Sequence, residues 1–206
     1  MTRRLSVAIL LVLAGMSAGA ETLDRIAVTV GRHVISQRDI LQDMRISAFI
    51  DGKAADFSAE QKRKAAERLV DQYLVLEDAT ATRLPPPPAA DVAGLLTPIK
   101  ARYTSDREYR AALGQAQISE AELSEQLLAG LRMLRYTDLR FRPEVQLSEE
   151  TLRAYYDKLA PPQTFEATRG AIEKLLTDQQ TMQALDRWLA MARSEIAIVN
   201  HEGAFQ

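Results

Sequence analysis

The sequence predicts a mainly α fold: a multi-helix core with a small antiparallel β element that joins the N- and C-terminal strands. Two observations predict it. Apolar residues recur at helical spacing through most of the chain, behind Ser-led caps. Short β-branched runs, by contrast, stand only near the ends, at Ile26 to Val30 with Val34-Ile35, and at Ile196 to Val199. Strands confined to the two ends of a helical chain are expected to close it by pairing with each other.

The elements follow in order. Arg3 and Arg4 precede a mostly apolar run from Leu5 to Ala14, and Ala18-Gly19-Ala20 has the small residues of a leader cleavage site. The run is shorter than the ~20 residues needed to span a bilayer. Residues 1–20 are therefore expected to be a signal peptide cut after Ala20, and residues 21–206 a single helical core domain, divided into an N-terminal part, 21–160, and a closing helix and strand, 161–206. Arg25 to Ser36 reads as strand, tight turn and strand. Ser36 with Asp39 caps a helix through about Ile50, which Asp51-Gly52 stops. Ser58 to Gln61 has capping-box spacing and opens a helix with Leu69, Val70, Tyr73, Leu74 and Leu76 on one side. Lys62, Arg63, Lys64 and Arg68 fall on its solvated side.

Pro85 to Pro88 must adopt polyproline II or a turn, since each ring fixes φ and removes a donor, and a rigid spacer between helices is the expected role. Asp91 opens a helix to about Tyr103, and Ser105 caps a short one carrying Tyr109 and Leu113. Ser119 and Glu122 form a second capping box, leading a helix with Leu123, Leu127, Leu128, Leu131 and Leu134 on one side. Phe141 to Val145 breaks the pattern, and Ser148 begins a short helix through Tyr155 and Tyr156. A long helix from about Phe165 to Arg193 turns Ile172, Leu175, Leu176, Met182, Leu185, Leu189 and Ala192 inward, with Gln179 splitting the face between two packing partners. Glu195 to Val199 reads as the closing strand.

Composition narrows the function classes. The chain has 26 Lys and Arg against 28 Asp and Glu. Loss of the leader removes Arg3 and Arg4 but no acid, so nothing points to nucleic acid or an anionic membrane surface. There is no cysteine, hence no disulfide, thiol nucleophile or thiolate metal site.

Chemistry-bearing constellations are equally sparse. The two histidines, His33 and His201, are expected in a strand-to-strand turn and a solvated tail, without the orienting partner and pocket that catalysis needs. The glycines are scattered, so no loop cradles a phosphate. Glu120/Glu122 and Glu149/Glu150 sit in first helical turns, where acids favour the positive end of the dipole. Nothing singles out these acids, or Asp138/Glu144, as a catalytic pair. No catalytic, cofactor-binding, metal-binding or client-binding residue is assigned, and no cofactor is expected.

Four segments carry a resemblance. Leu23 to Ile40 resembles the first strands and helix of the SurA-type periplasmic chaperones, and Ala65 to Glu77 their second helix. Ile118 to Ser148 is similar to their later helices, and Phe165 to Val199 to their closing helix and strand. The likeness covers nearly all of the chain after the leader and rests on element order. Where that family carries parvulin-type prolyl isomerase domains, this chain has only Pro161, Pro162, Gln163 and Thr164. The resemblance implies the chaperone module without isomerase activity: a periplasmic holdase for unfolded secreted or outer-membrane polypeptides, not inserted in the membrane. A client groove is expected between the first two helices and the helix beginning at Ser119. Met44, Met133, Met182 and Met191 are its candidate plastic contacts, although core filling explains each of them. The alternative is an adaptor binding one specific folded envelope partner. An enzyme lacks named residues to support it.

Overall fold

The computed structural model describes residues 24–159 and 162–206. The expected leader and the join between the two expected parts of the domain lie outside the described residues. The described residues open with a hairpin of β1 (Ile26–Val30) and β2 (His33–Ser36). Gly31 turns it with φ +58°, in the left-handed region where a side chain is costly. A Cβ there would also lie 2.8 Å from Ile196 Cδ1. Helix α1 (Gln37–Asp51) starts at once, because Ser36 closes the strand and caps the helix together. Its hydroxyl accepts from Asp39 N–H at 3.2 Å while the Asp39 carboxylate accepts from Ser36 N–H at 2.8 Å. Gly52, at φ +67°, ends α1 in a left-handed cap.

Ser58 caps α2 (Ala59–Ala81), but only half of the expected box forms. The Ser58 N–H already donates to Asp56 Oδ1 at 2.9 Å, so Gln61 has nothing to return to. The prolines then link α2 to α3 (Ala89–Lys100), Pro88 holding polyproline-II angles of φ −59° and ψ 145° as the cap residue. Helix α3 ends at Lys100 and not near Tyr103, because Arg102 and Tyr103 donate three residues back and tighten into turns. Helices α4 (Asp106–Ala116) and α5 (Glu120–Arg140) follow, α5 with both halves of the Ser119/Glu122 box. A 3-10 turn over Arg142–Glu144 leads to α6 (Glu149–Leu159) and the long α7 (Phe165–Glu195). Strand β3 (Ile198–Asn200) and a second 3-10 turn complete the chain.

The two ends do pair. The sheet order is β2-β1-β3, all antiparallel, with Val28 opposite both Ile35 and Asn200. Backbone bonds from Gly31 N–H to Ala197 O and from His201 N–H to Ala27 O, each 2.8 Å, flank the β1–β3 ladder.

Three apolar clusters sit around this frame. The main one gathers Val28 and Val30 of β1, Val70 and Leu74 of α2, Tyr136 of α5, and Leu185 and Leu189 of α7. A second joins α1, α3, α4 and the start of α5 through Ile46, Phe49, Ile99, Tyr109, Leu113 and Leu123. The third is Leu152 of α6 against Phe165, Ile172 and Leu176 of α7. Helix α7 therefore splits its packing as the break at Gln179 predicts.

Several expectations need correction. Leu175 and Met182 on α7 are exposed, because the helix changes neighbours between them. Leu134 on α5 is exposed as well. That helix buries Leu123 in the second cluster but Tyr136 and Thr137 at its far end, and nothing covers the continuation of the leucine stripe. His33 begins β2 instead of lying in the turn, with its ring stacked on Tyr73 at 4.1 Å and 4°. The segment around His201 is no solvated tail, since Ala204 and Phe205 return into the main cluster. Among the described residues, no helix is long and apolar enough to cross a membrane.

Candidate functional site: a groove between β2, α1, α2 and α5

The amphipathic faces that build the core also leave a gap. Helices α1 and α2 pack together, and α2 packs along α5. Between them, beside β2, lies a groove of about 630 Å³. That volume is typical of ligand clefts, which run to roughly 300–1,000 Å³. It falls where the sequence leads one to expect a groove, between the first two helices and the helix that Ser119 caps.

Its surface is mixed. Val34 and Ile35 of β2, Ile46 of α1, and Leu69, Tyr73 and Leu76 of α2 supply the apolar part. Gln42, Gln72 and Gln126 contribute amides that both donate and accept. The His33–Tyr73 stack closes one side with two flat rings. Burial pushes the Tyr73 phenol above its ordinary pKa, and the neighbouring Glu77 carboxylate adds in the same direction.

Among the described residues, five carboxylates line the groove and no lysine or arginine does. Asp43 is the deepest, 5% exposed, and holds the Arg68 guanidinium at 2.7 Å and the Gln126 amide at 3.0 Å. Burial lifts its carboxyl above the usual aspartate range, while Arg68 and then Gln126 pull it back. Glu122 is tied by the Ser119 N–H at 2.7 Å and hydroxyl at 2.8 Å, which hold it below the ordinary glutamate value. Asp39 is tied by the Ser36 N–H. Glu77 and Glu125 enter no salt bridge among the described residues.

This arrangement suits binding. His33 makes an aromatic contact, and its ring has no hydrogen-bond partner among the described residues. His201 lies outside it, bonded through Nε2 to Thr29 Oγ1 at 3.2 Å. Among the described residues, no three His, Cys, Asp or Glu side chains are placed to hold a metal. Neither the Glu149/Glu150 pair nor Asp138/Glu144 comes near the groove, and Glu120/Glu122 contributes only Glu122. None of the four methionines lines it either. A second cavity of about 540 Å³ lies between the end of α1, the following loop and α4, with Arg45 beside Phe57.

Sequence reasoning missed Asp43, Glu77, Glu125 and Gln126 as groove residues. One signal was available: Asp43 stands next to Met44 and three residues after Ile40, an acid at the inward spacing of α1. The others become groove residues only through the pairing of α2 with α5. No protein-family model matches this chain, and no curated protein does.

Proposed function

We propose that this chain is an exported, periplasmic holdase-type chaperone that takes segments of unfolded secreted or outer-membrane polypeptides into the groove between β2, α1, α2 and α5, without isomerase catalysis. The open cleft of aliphatic, aromatic and amide side chains carries the reading, because such a lining accepts many different sequences. The leader-like start and the resemblance in element order support the location. The test is aggregation suppression. An unfolded outer-membrane protein and an unrelated denatured soluble protein are each diluted with and without the chain, beside an inert protein of similar size. Suppression of both at near-stoichiometric ratios is the expected result, and suppression of neither would sink the chaperone reading.

A second reading, an adaptor for one folded envelope partner, has its own support. Leu134 and Leu139 on α5 and Met182 and Met191 on α7 are all at least half exposed, apolar surface that a folded partner would cover. An adaptor would capture one native partner tightly from envelope extracts and leave aggregation unchanged.

A further inference from the structure

We propose that the groove selects extended polypeptide segments in which lysine or arginine alternates with aliphatic residues. The inference rests on the chaperone reading and adds the chemistry of the client. The groove supplies two kinds of surface at once. Val34, Leu69 and Leu76 offer apolar contact, while Asp39, Glu77, Glu122 and Glu125 surround it with negative charge. Asp43 is paired with Arg68, and Arg38 lies within electrostatic reach of Glu122, but Asp39, Glu77, Glu122 and Glu125 have no salt-bridge partner among the described residues.

Acids gathered in a cleft with low-dielectric walls reinforce one another's field, so the groove attracts cations well beyond what the chain's near-neutral overall charge suggests. An anionic segment of equal hydrophobicity meets like charges on three helices. The shape of the occupant follows from β2. It is an edge strand, paired with β1 on one side only, and three of its residues form one wall of the groove. A segment lying along such an edge is extended, so successive side chains point to opposite sides. Aliphatic groups on one side then meet the apolar surface, and cationic groups on the other reach the carboxylates.

Two fluorescein-labelled short peptides provide the test, one alternating lysine with valine and leucine, the other with glutamate in place of each lysine. Their anisotropy is followed with the chain from Glu21 onward, which contains every described element. The lysine peptide is expected to bind at least about tenfold tighter. Its affinity should fall as ionic strength rises from about 0.01 M to about 0.15 M, over which the screening length drops from roughly 30 Å to roughly 8 Å. The double variant Glu77→Gln/Glu125→Gln, at two exposed positions, should weaken binding by roughly tenfold. The double variant Glu166→Gln/Glu195→Gln removes the same charge from the exposed surface of α7 and should leave binding unchanged. Equal binding of the two peptides, or an equal loss from both double variants, overturns the inference. If aggregation suppression persists in that case, the chaperone reading stands without it. Absence of both suppression and peptide binding overturns the two together.

Discussion

Asp43 shows how a single residue balances two opposing effects. The turn of α1 that places Ile40, Met44 and Ile46 inward also carries Asp43 out of water. Desolvation disfavours its charge, and the Arg68 pair opposes that, but Arg68 is itself half exposed and its pull is weakened by solvent. The raised pKa means that the folded chain holds the Asp43 proton more tightly than the unfolded chain does. The stability this confers is present at acid pH and lost as pH rises through the folded-state value. Asp43→Asn removes the buried charge and keeps the shape. It is expected to melt at a higher temperature than the parent at pH 7, with the gap closing below about pH 4, where the unfolded carboxyl is protonated too. A lower melting temperature at pH 7 would mean that the ion pair outweighs burial. Tyr109 poses a related problem in the second cluster. Its buried hydroxyl makes no well-formed hydrogen bond among the described residues, and burial together with the nearby Glu120 carboxylate pushes its pKa up to about 12.

At the scale of elements, the boundaries were the most legible feature. Ser36, Ser58, Ser105 and Ser119 each cap the helix expected of them, because an N-cap bond is made within a few residues and needs nothing distant. Buried faces were less legible. A stripe of leucines says that a helix has an apolar side, but which side is covered depends on the neighbours, and near the end of α5 the buried side carries Tyr136 and Thr137 and leaves Leu134 out. The hairpin joins both levels. Gly31 is required locally by its positive φ and tertiarily by Ile196, which packs where a side chain would go. Gly31→Ala is expected to destabilise the fold by at least about 1–2 kcal/mol from the backbone alone. Denaturant unfolding measures it, and an unchanged midpoint would show that the turn relaxes freely.

For the whole molecule, the return of the C-terminus matters most. Helix α7 is latched to α2 by Arg193, which reaches Asp71 at 2.7 Å and the Glu67 carbonyl at 3.0 Å. Beyond β3, the Arg63–Glu202 pair at 2.7 Å and the insertion of Phe205 hold the last residues down. Phe205 is only 2% exposed and shares its cluster with β1 and with α2, which lines the groove. Removing residues 201–206 is therefore expected to cost about 3–5 kcal/mol, as for loss of a buried phenylalanine, although terminal residues are usually dispensable. Urea unfolding of the shortened chain checks this, and a stability equal to that of the parent would refute closure through the C-terminal segment.

The sequence by itself determined the mainly helical class, the starts of the Ser-capped helices, the hairpin, and the presence of a strand near the C-terminus. All of these depend on short-range patterns: caps, turn residues and the period of apolar positions. It also pointed to the split of α7's apolar face between two packing partners, since one polar residue interrupting an apolar stripe is visible without a partner. Only the tertiary structure decided which leucines stay exposed, that Phe205 belongs to the core, and that Asp39, Asp43, Glu77, Glu122 and Glu125 share one groove. Those carboxylates come from three helices far apart in the chain. Their common field is a property of helix packing, and no local spacing encodes it.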